Sequence, residues 1–205
     1  MIAAPAALER LREGNARFAA DVSRRVTSRR KRRELAAGQE PFAIVLGCSD
    51  SRVPAELVFD QGLGDLFVIR VAGNIVAPSQ VGSVEFAADR FKTRLVVVLG
   101  HSACGAIVAT LEQLQRTSGD QSAGLRSIVD RIRPAVDDVL GSERRHSPDA
   151  LLREAVRANI RHSANQLRHG SELLEHLIQH EGLVVIGAEY SLESGVVAFF
   201  DGIPP

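Results

Sequence analysis

The sequence predicts an α/β fold: a mostly parallel central sheet of four strands plus an edge strand, flanked by helices, with a helical segment before the last strands. Three observations lead there. The runs "FAIVLGC" (42–48), "LFVIRVAG" (66–73) and "RLVVVLGH" (94–101) are rich in β-branched residues and are bounded by glycine. Their hydrophobicity is continuous and not alternating, which suits strands covered on both faces, as in a parallel sheet. Stretches of helical periodicity separate them, the pattern of strand–helix–strand units.

The elements follow in order. Leu8, Leu11 and Phe18 recur at helical spacing among charged residues, so an amphipathic helix is expected over 6–20. "SRRVTSRRKRRE" (23–34) is a basic run. It reads as a solvated helix face or an arm lying on a partner chain, because no aromatic residues interleave to stack on bases. A short helix is expected after Pro54, another over 78–92, and another from Gly105 to about Arg116. "TSGDQSAG" (117–124) has loop composition. From Leu125 to His180 the pattern is helical, broken near "GSERRHSPD" (141–149) and at Gly170-Ser171. "LVVIGAEY" (183–190) reads as one more strand, and "GVVAFF" (195–200) as the edge strand. Residues 1–205 are thus expected to form a single domain, with an N-terminal helical arm (1–35) and a helical segment (125–180).

The bulk numbers exclude several classes. A chain of 205 residues can bury a sizeable core. Lys and Arg number 25 and Asp and Glu 25. A formal charge of zero argues against nucleic-acid binding, which needs surplus cations to displace counterions, and it permits self-association. No signal peptide is visible and the apolar runs are strand-sized, so no membrane association is expected. Two cysteines are not a disulfide framework. The expected setting is a reducing one, the cytoplasm.

Both cysteines stand in telling places. Cys48 ends the first apolar run. "LGH" at 99–101 nearly repeats "LGC" at 46–48, and Cys104 follows three residues after His101. In open α/β sheets ligands sit at the carboxyl ends of parallel strands. If the two strands are neighbours, their tips are about 5 Å apart, within reach of one small ion. Cys104 opens an expected helix, a position that helps hold a thiolate. Two thiolates and an imidazole suit Zn2+, and three protein ligands leave the open fourth position of a catalytic site. The bland alternative is two buried small hydrophobes and a satisfied loop histidine. Two thiolates also cancel the charge of the ion, so it acidifies its water less than a histidine-only site would, and neighbours must help. Asp50 and Arg52 are the candidates. Asp50 accepts a hydrogen bond from the bound hydroxide, occupies the fourth position itself, or merely caps the helix after Pro54. Arg52 can hold Asp50 through paired hydrogen bonds and so compete with the metal for it.

"CSDSR" at 48–52 followed by "HSACG" at 101–105 resembles the β-class carbonic anhydrases. The likeness runs from about Gln39 through "DQGLGDLFVIRVAGN" (60–74) to "GAEYSLESG" (187–195). It implies zinc-dependent, reversible hydration of carbon dioxide to bicarbonate and a proton by metal-bound hydroxide. Cys48, His101 and Cys104 are then the metal ligands and Asp50–Arg52 the catalytic dyad, with Asp50 a conditional fourth ligand at low pH. It further implies that Gln39, Phe67 and the Gly105 backbone N–H bind substrate, and that the protein is a homo-oligomer, a dimer or dimer of dimers, whose pockets draw on both chains. Carbonic anhydrases with three histidine ligands are the reference case for zinc-bound water; their acidity does not transfer to a two-thiolate site, and activity here is expected to rise with pH. Phe86 falls where plant-type members carry tyrosine. Arg70 and Tyr190 match an inhibitory bicarbonate site, but Val45 replaces its tryptophan and the chain contains no tryptophan. Two alternatives share these residues: hydrolysis of carbon disulfide or carbonyl sulfide on the same zinc, and a non-catalytic zinc-stabilised binding protein. The presence of both Asp50 and Arg52 weighs against the latter.

Other motifs are weaker. His176 and His180 have i, i+4 spacing but no third ligand near in sequence, and they sit where basic residues complement a helix end. His146, His162 and His169 are expected at the surface. "GLGDLF" lacks the full dinucleotide fingerprint.

Overall fold

The computed structural model describes residues 2–24, 28–115, 122–141 and 147–203. Helices α1 (Ala4–Ala19) and α2 (Arg29–Leu35) precede strand β1 (Ala43–Gly47), and the short helix α3 (Ala55–Val58) leads to β2 (Leu66–Arg70). A 3-10 turn (Ala72–Asn74) and α4 (Pro78–Arg90) then reach β3 (Leu95–His101), followed by α5 (Gly105–Gln115), α6 (Ala123–Leu140), α7 (Pro148–His169) and α8 (Glu172–His180). Strands β4 (Val184–Tyr190) and β5 (Val197–Asp201) complete the chain. Of the expected loop at 117–124, residues 117–121 lie outside the described residues, and Ala123 and Gly124 already belong to α6. Of the break at 141–149, residues 142–146, His146 among them, lie outside, and Pro148 and Asp149 open α7.

The five strands form one sheet in the order β2-β1-β3-β4-β5. β1 pairs in parallel with β2 and β3, β3 pairs in parallel with β4, and β5 alone runs antiparallel. Its reversal is a tight turn in which the Ser191 N–H donates to the Val196 carbonyl and Gly195 adopts φ 74°. The fold class is the one the apolar runs announce, and β1 and β3 are indeed neighbours.

Both sheet faces are covered, which explains the continuous hydrophobicity. Ile44, Leu46, Val96 and Val98 point to one face, beneath Val84 and Ala87 of α4, Ile107 of α5, Ile132 of α6, Ile160 and Leu167 of α7 and Leu174 of α8. The alternate residues Val45, Val97, Leu99 and Ile186 point to the other, against Leu8 and Leu11 of α1 and Val58 and Phe59 beside α3. Burying each such side chain contributes about 1.5–3 kcal/mol.

The N-terminal segment therefore divides in two. α1 belongs to the core, with Ala7 and Leu11 fully buried. Its buried Asn15 donates to the Val58 and Gly195 carbonyls and accepts from the Val197 N–H, tying the helix to α3 and β5. α2 buries no residue, and its start is capped by the Ser28 hydroxyl, which accepts from the Lys31 N–H.

The glycines of the "LG" echo differ in kind. A Cβ on Gly100 would sit 2.5 Å from Ile160 Cδ1, so α7 crosses β3 where only glycine fits. At Gly47 a Cβ would meet only the Leu99 carbonyl oxygen, at 3.8 Å.

Candidate metal and active site

Cys48 follows the last residue of β1 and His101 is the last residue of β3. Both are buried, as is Cys104 at the opening of α5. Ala103 takes a left-handed conformation (φ 52°), which turns the chain so that Cys104 comes back toward His101. Ser102 secures that turn: its N–H donates to the Tyr190 carbonyl at 2.9 Å and its hydroxyl accepts from the Leu192 N–H at 3.0 Å. The two sulfurs and a ring nitrogen of His101 all lie within 4.8 Å of one another.

The donor chemistry fits a metal. The Ser102 carbonyl can only accept, so its 2.9 Å contact places the proton of His101 on Nδ1. Nε2 then presents its lone pair inward, and this buried atom meets no hydrogen-bond partner among the described residues. The Cys104 thiol beside Cys48 pulls the Cys48 pKa well down against the opposing effect of burial, and the same contact, with burial, pushes Cys104 up. One sulfur is thus held as thiolate at neutral pH. Binding a soft divalent ion would displace the remaining thiol proton.

Asp50 lies beside this group. Arg52 donates from Nε to Oδ1 at 2.9 Å and from its terminal nitrogen to Oδ2 at 2.7 Å, and its backbone N–H adds a third bond at 3.0 Å. These contacts hold the Asp50 carboxyl below the usual carboxylate range. Oδ2 stands 3.9 Å from His101 Nε2. The helix-cap alternative is corrected here: α3 has Pro54 as its N-cap residue and no side-chain cap, and Asp50 is turned to Arg52 instead.

Other sequence-singled residues fall elsewhere. Gly105 is the first residue of α5, exposed, with no atom within 4 Å of where a Cβ would be. Gln39 is exposed and precedes β1, at the end of the sheet opposite Cys48. Phe67 pairs with Ile44, four residues or about 13 Å before Cys48. Its ring packs against Phe86 and Phe91, with centroids 6.1 and 6.0 Å away. Neither reaches the metal group of its own chain. Arg70 donates from Nε to the Cys48 carbonyl (3.1 Å) and from a terminal nitrogen to the Asp50 carbonyl (2.7 Å), bracing the loop that carries both residues. Tyr190 is buried against Phe18. His176 and His180 stack at 4.6 Å on the surface of α8, outside the metal group. His169 is exposed, whereas His162 is half-buried in a cleft of about 730 Å³ between α4 and α7. No helix among the described residues is long and apolar enough to cross a membrane.

Sequence reasoning passed over Gly73 and Asn159. The Gly73 N–H donates to Cys48 Sγ at 3.4 Å, and Asn159 of α7 donates to the Gly73 carbonyl at 2.8 Å. The available signal was an asparagine in mid-helix among apolar neighbours ("AVRANIRHSA"), a place that disfavours it unless it has work to do.

Comparison with known proteins agrees with this geometry. Residues 43–197 match the family model described as carbonic anhydrase. The chain is 39% identical over 202 residues to carbonic anhydrase 2 of Mycobacterium tuberculosis, covering 97% of this chain and 93% of that protein. It is 38% identical over 194 residues to the carbonic anhydrase of Mycolicibacterium smegmatis, covering 94% and 91%. The crystal structure of a β-carbonic anhydrase of Aspergillus fumigatus superposes with a TM-score of 0.76 at 25% identity, over 98% of this chain and 92% of that one. With its cysteine–histidine–cysteine group in place, the chain belongs to the β-class carbonic anhydrases.

Proposed function

We propose that this protein catalyses the zinc-dependent, reversible hydration of carbon dioxide to bicarbonate and a proton. The observation that carries the reading is the convergence of Cys48, Cys104 and the unpartnered Nε2 of His101 beside an Asp50 carboxylate locked onto Arg52. Zinc held by these three residues would supply a Lewis acid that lowers the pKa of its water and so makes it a nucleophile.

The chain's own residues do the rest. Arg52 keeps Asp50 ionised, so Oδ2 is a hydrogen-bond acceptor that can orient the attacking water and cannot donate to it. Asp50 as a fourth ligand would compete with hydroxide for that position, so closure would belong to low pH, where hydroxide is scarce, and Arg52 opposes it by holding both carboxylate oxygens. The Gly105 N–H is open to receive a substrate oxygen. Gln39 and Phe67 stand at the wrong end of the sheet for their own site, which supports a homo-oligomer in which they serve a second copy. A reducing compartment such as the cytoplasm keeps both cysteines available as ligands.

The test is stopped-flow carbon dioxide hydration by zinc-loaded protein from pH 6.5 to 9. Activity is expected to climb with pH and to fall at least about 100-fold in Asp50→Asn, the scale of one lost preorganised hydrogen-bond partner. Absence of hydration at pH 9 with zinc bound would overturn the assignment.

A further inference from the structure

Behind the metal group a polar connection runs from α7 to Cys48. Asn159 is 1% exposed and sits among Ala155, Val156 and Ile160, all buried. Its Nδ2 donates to the Gly73 carbonyl at 2.8 Å, while its Oδ1 has no partner among the described residues. A half-satisfied buried amide is costly, and asparagine is a poor residue for a helix interior. The bond to Gly73 is what this side chain accomplishes.

Gly73 is held in a demanding conformation. Its φ is 69° and that of Asn74 is 43°, two successive left-handed residues. A Cβ on Gly73 would lie 2.9 Å from Ile132 Cδ1 and 3.1 Å from Ala106 Cβ, so α5 and α6 close over it and leave no room for a side chain. This conformation aims the Gly73 N–H at Cys48 Sγ, 3.4 Å away. A hydrogen bond to a ligand sulfur fixes its orientation and stabilises the thiolate, and such outer partners typically set 10–100-fold in metal affinity.

We propose that Asn159 is a positioning residue for the metal centre: by holding the Gly73 carbonyl it maintains the left-handed turn that directs the Gly73 N–H onto Cys48. This rests on the reading of Cys48 as a ligand. Ser163 provides the control. It lies one turn further along the same face of α7, is equally buried, and its hydroxyl has no partner among the described residues.

The experiment measures zinc affinity by chelator competition and the sulfur-to-metal charge-transfer absorption of the cobalt-substituted protein. It compares the unaltered protein with Asn159→Leu, Asn159→Ala and Ser163→Ala, each checked for folding by circular dichroism. Both Asn159 variants remove the donor, and Asn159→Ala adds no bulk should the leucine variant fail to fold. The expected result is an affinity loss of about tenfold or more and a shifted charge-transfer band in the Asn159 variants, with Ser163→Ala unchanged in both. Unaltered affinity and spectrum in a folded Asn159 variant would overturn the proposal. So would an equal loss in Ser163→Ala, which would mark a general packing effect. Cys48→Ala binding zinc as tightly as the unaltered protein would instead refute the ligand reading, and the proposal with it.

Discussion

Arg52 and Arg70 converge on the same few residues after β1 but act on different groups. Arg52 grips the Asp50 carboxylate from the solvent side, with its own side chain 57% exposed. Arg70 grips backbone carbonyls at Cys48 and Asp50. The two should therefore separate in experiment. Arg52→Ala is expected to leave the melting temperature within a degree or two, since exposed pairs add little stability, while hydration activity collapses. Arg70→Ala is expected to lower both, with about tenfold weaker zinc binding as the Cys48 loop loosens. Calorimetry and chelator competition on the two variants check this. Equal thermal effects would mean that the loop holds its own shape without Arg70.

At the scale of elements, α1 docks through two residues that helical periodicity ignores. A Cβ on Gly14 would lie 1.9 Å from the Phe59 carbonyl oxygen, a backbone atom that cannot move aside, and Asn15 next to it makes three hydrogen bonds to other segments. Gly14→Ala is expected to cost about 3 kcal/mol in urea unfolding. Gly82→Ala, on α4 with nothing near its Cβ position, should be neutral or stabilising by up to about 1 kcal/mol. The contrast shows why the strands were legible in the sequence and the N-terminal arm was not. Val96, Val97 and Val98 declare a strand covered on both faces. Leu8 and Leu11 declare a helix without saying what it packs against, and its seat is fixed by a glycine and an asparagine beside them. The site divides the same way. The convergence of Cys48, His101 and Cys104 was legible because two of them end neighbouring parallel strands and the third follows within a turn. Gly73 acts through its backbone and Asn159 through a neighbour's, so neither carries a side-chain signature. Gln39 and Phe67 were singled out by family resemblance alone, and within one chain they lie far from Cys48.

For the whole molecule, acid stability should register Asp60. This buried carboxylate accepts from Arg17, the Ser23 hydroxyl and the Arg24 N–H, joining the N-terminal segment to the turn after α3. Burial alone would raise its pKa; the hydroxyl, the guanidinium and the N–H outweigh it and bring the pKa to about 2. Because the folded value lies below the unfolded one, the contribution is complete above about pH 4 and vanishes as pH falls to about 2; it amounts to about 2 kcal/mol. Asp60→Asn should lose that stability at pH 7 and show a correspondingly flatter decline between pH 4 and 2, read from urea midpoints. An unchanged pH profile would exclude Asp60 as the source.

The pairing of β1 with β3 around the excursion through β2 also bears on how the protein is made. Cys48 leaves the ribosome about 50 residues ahead of His101 and Cys104, a lead of roughly 3–10 s at ordinary rates of translation. Throughout that interval it is a lone thiol on a nascent chain, with neither a metal nor a folded sheet to shield it. Any oxidant that reaches the nascent chain thus meets Cys48 before its partners exist.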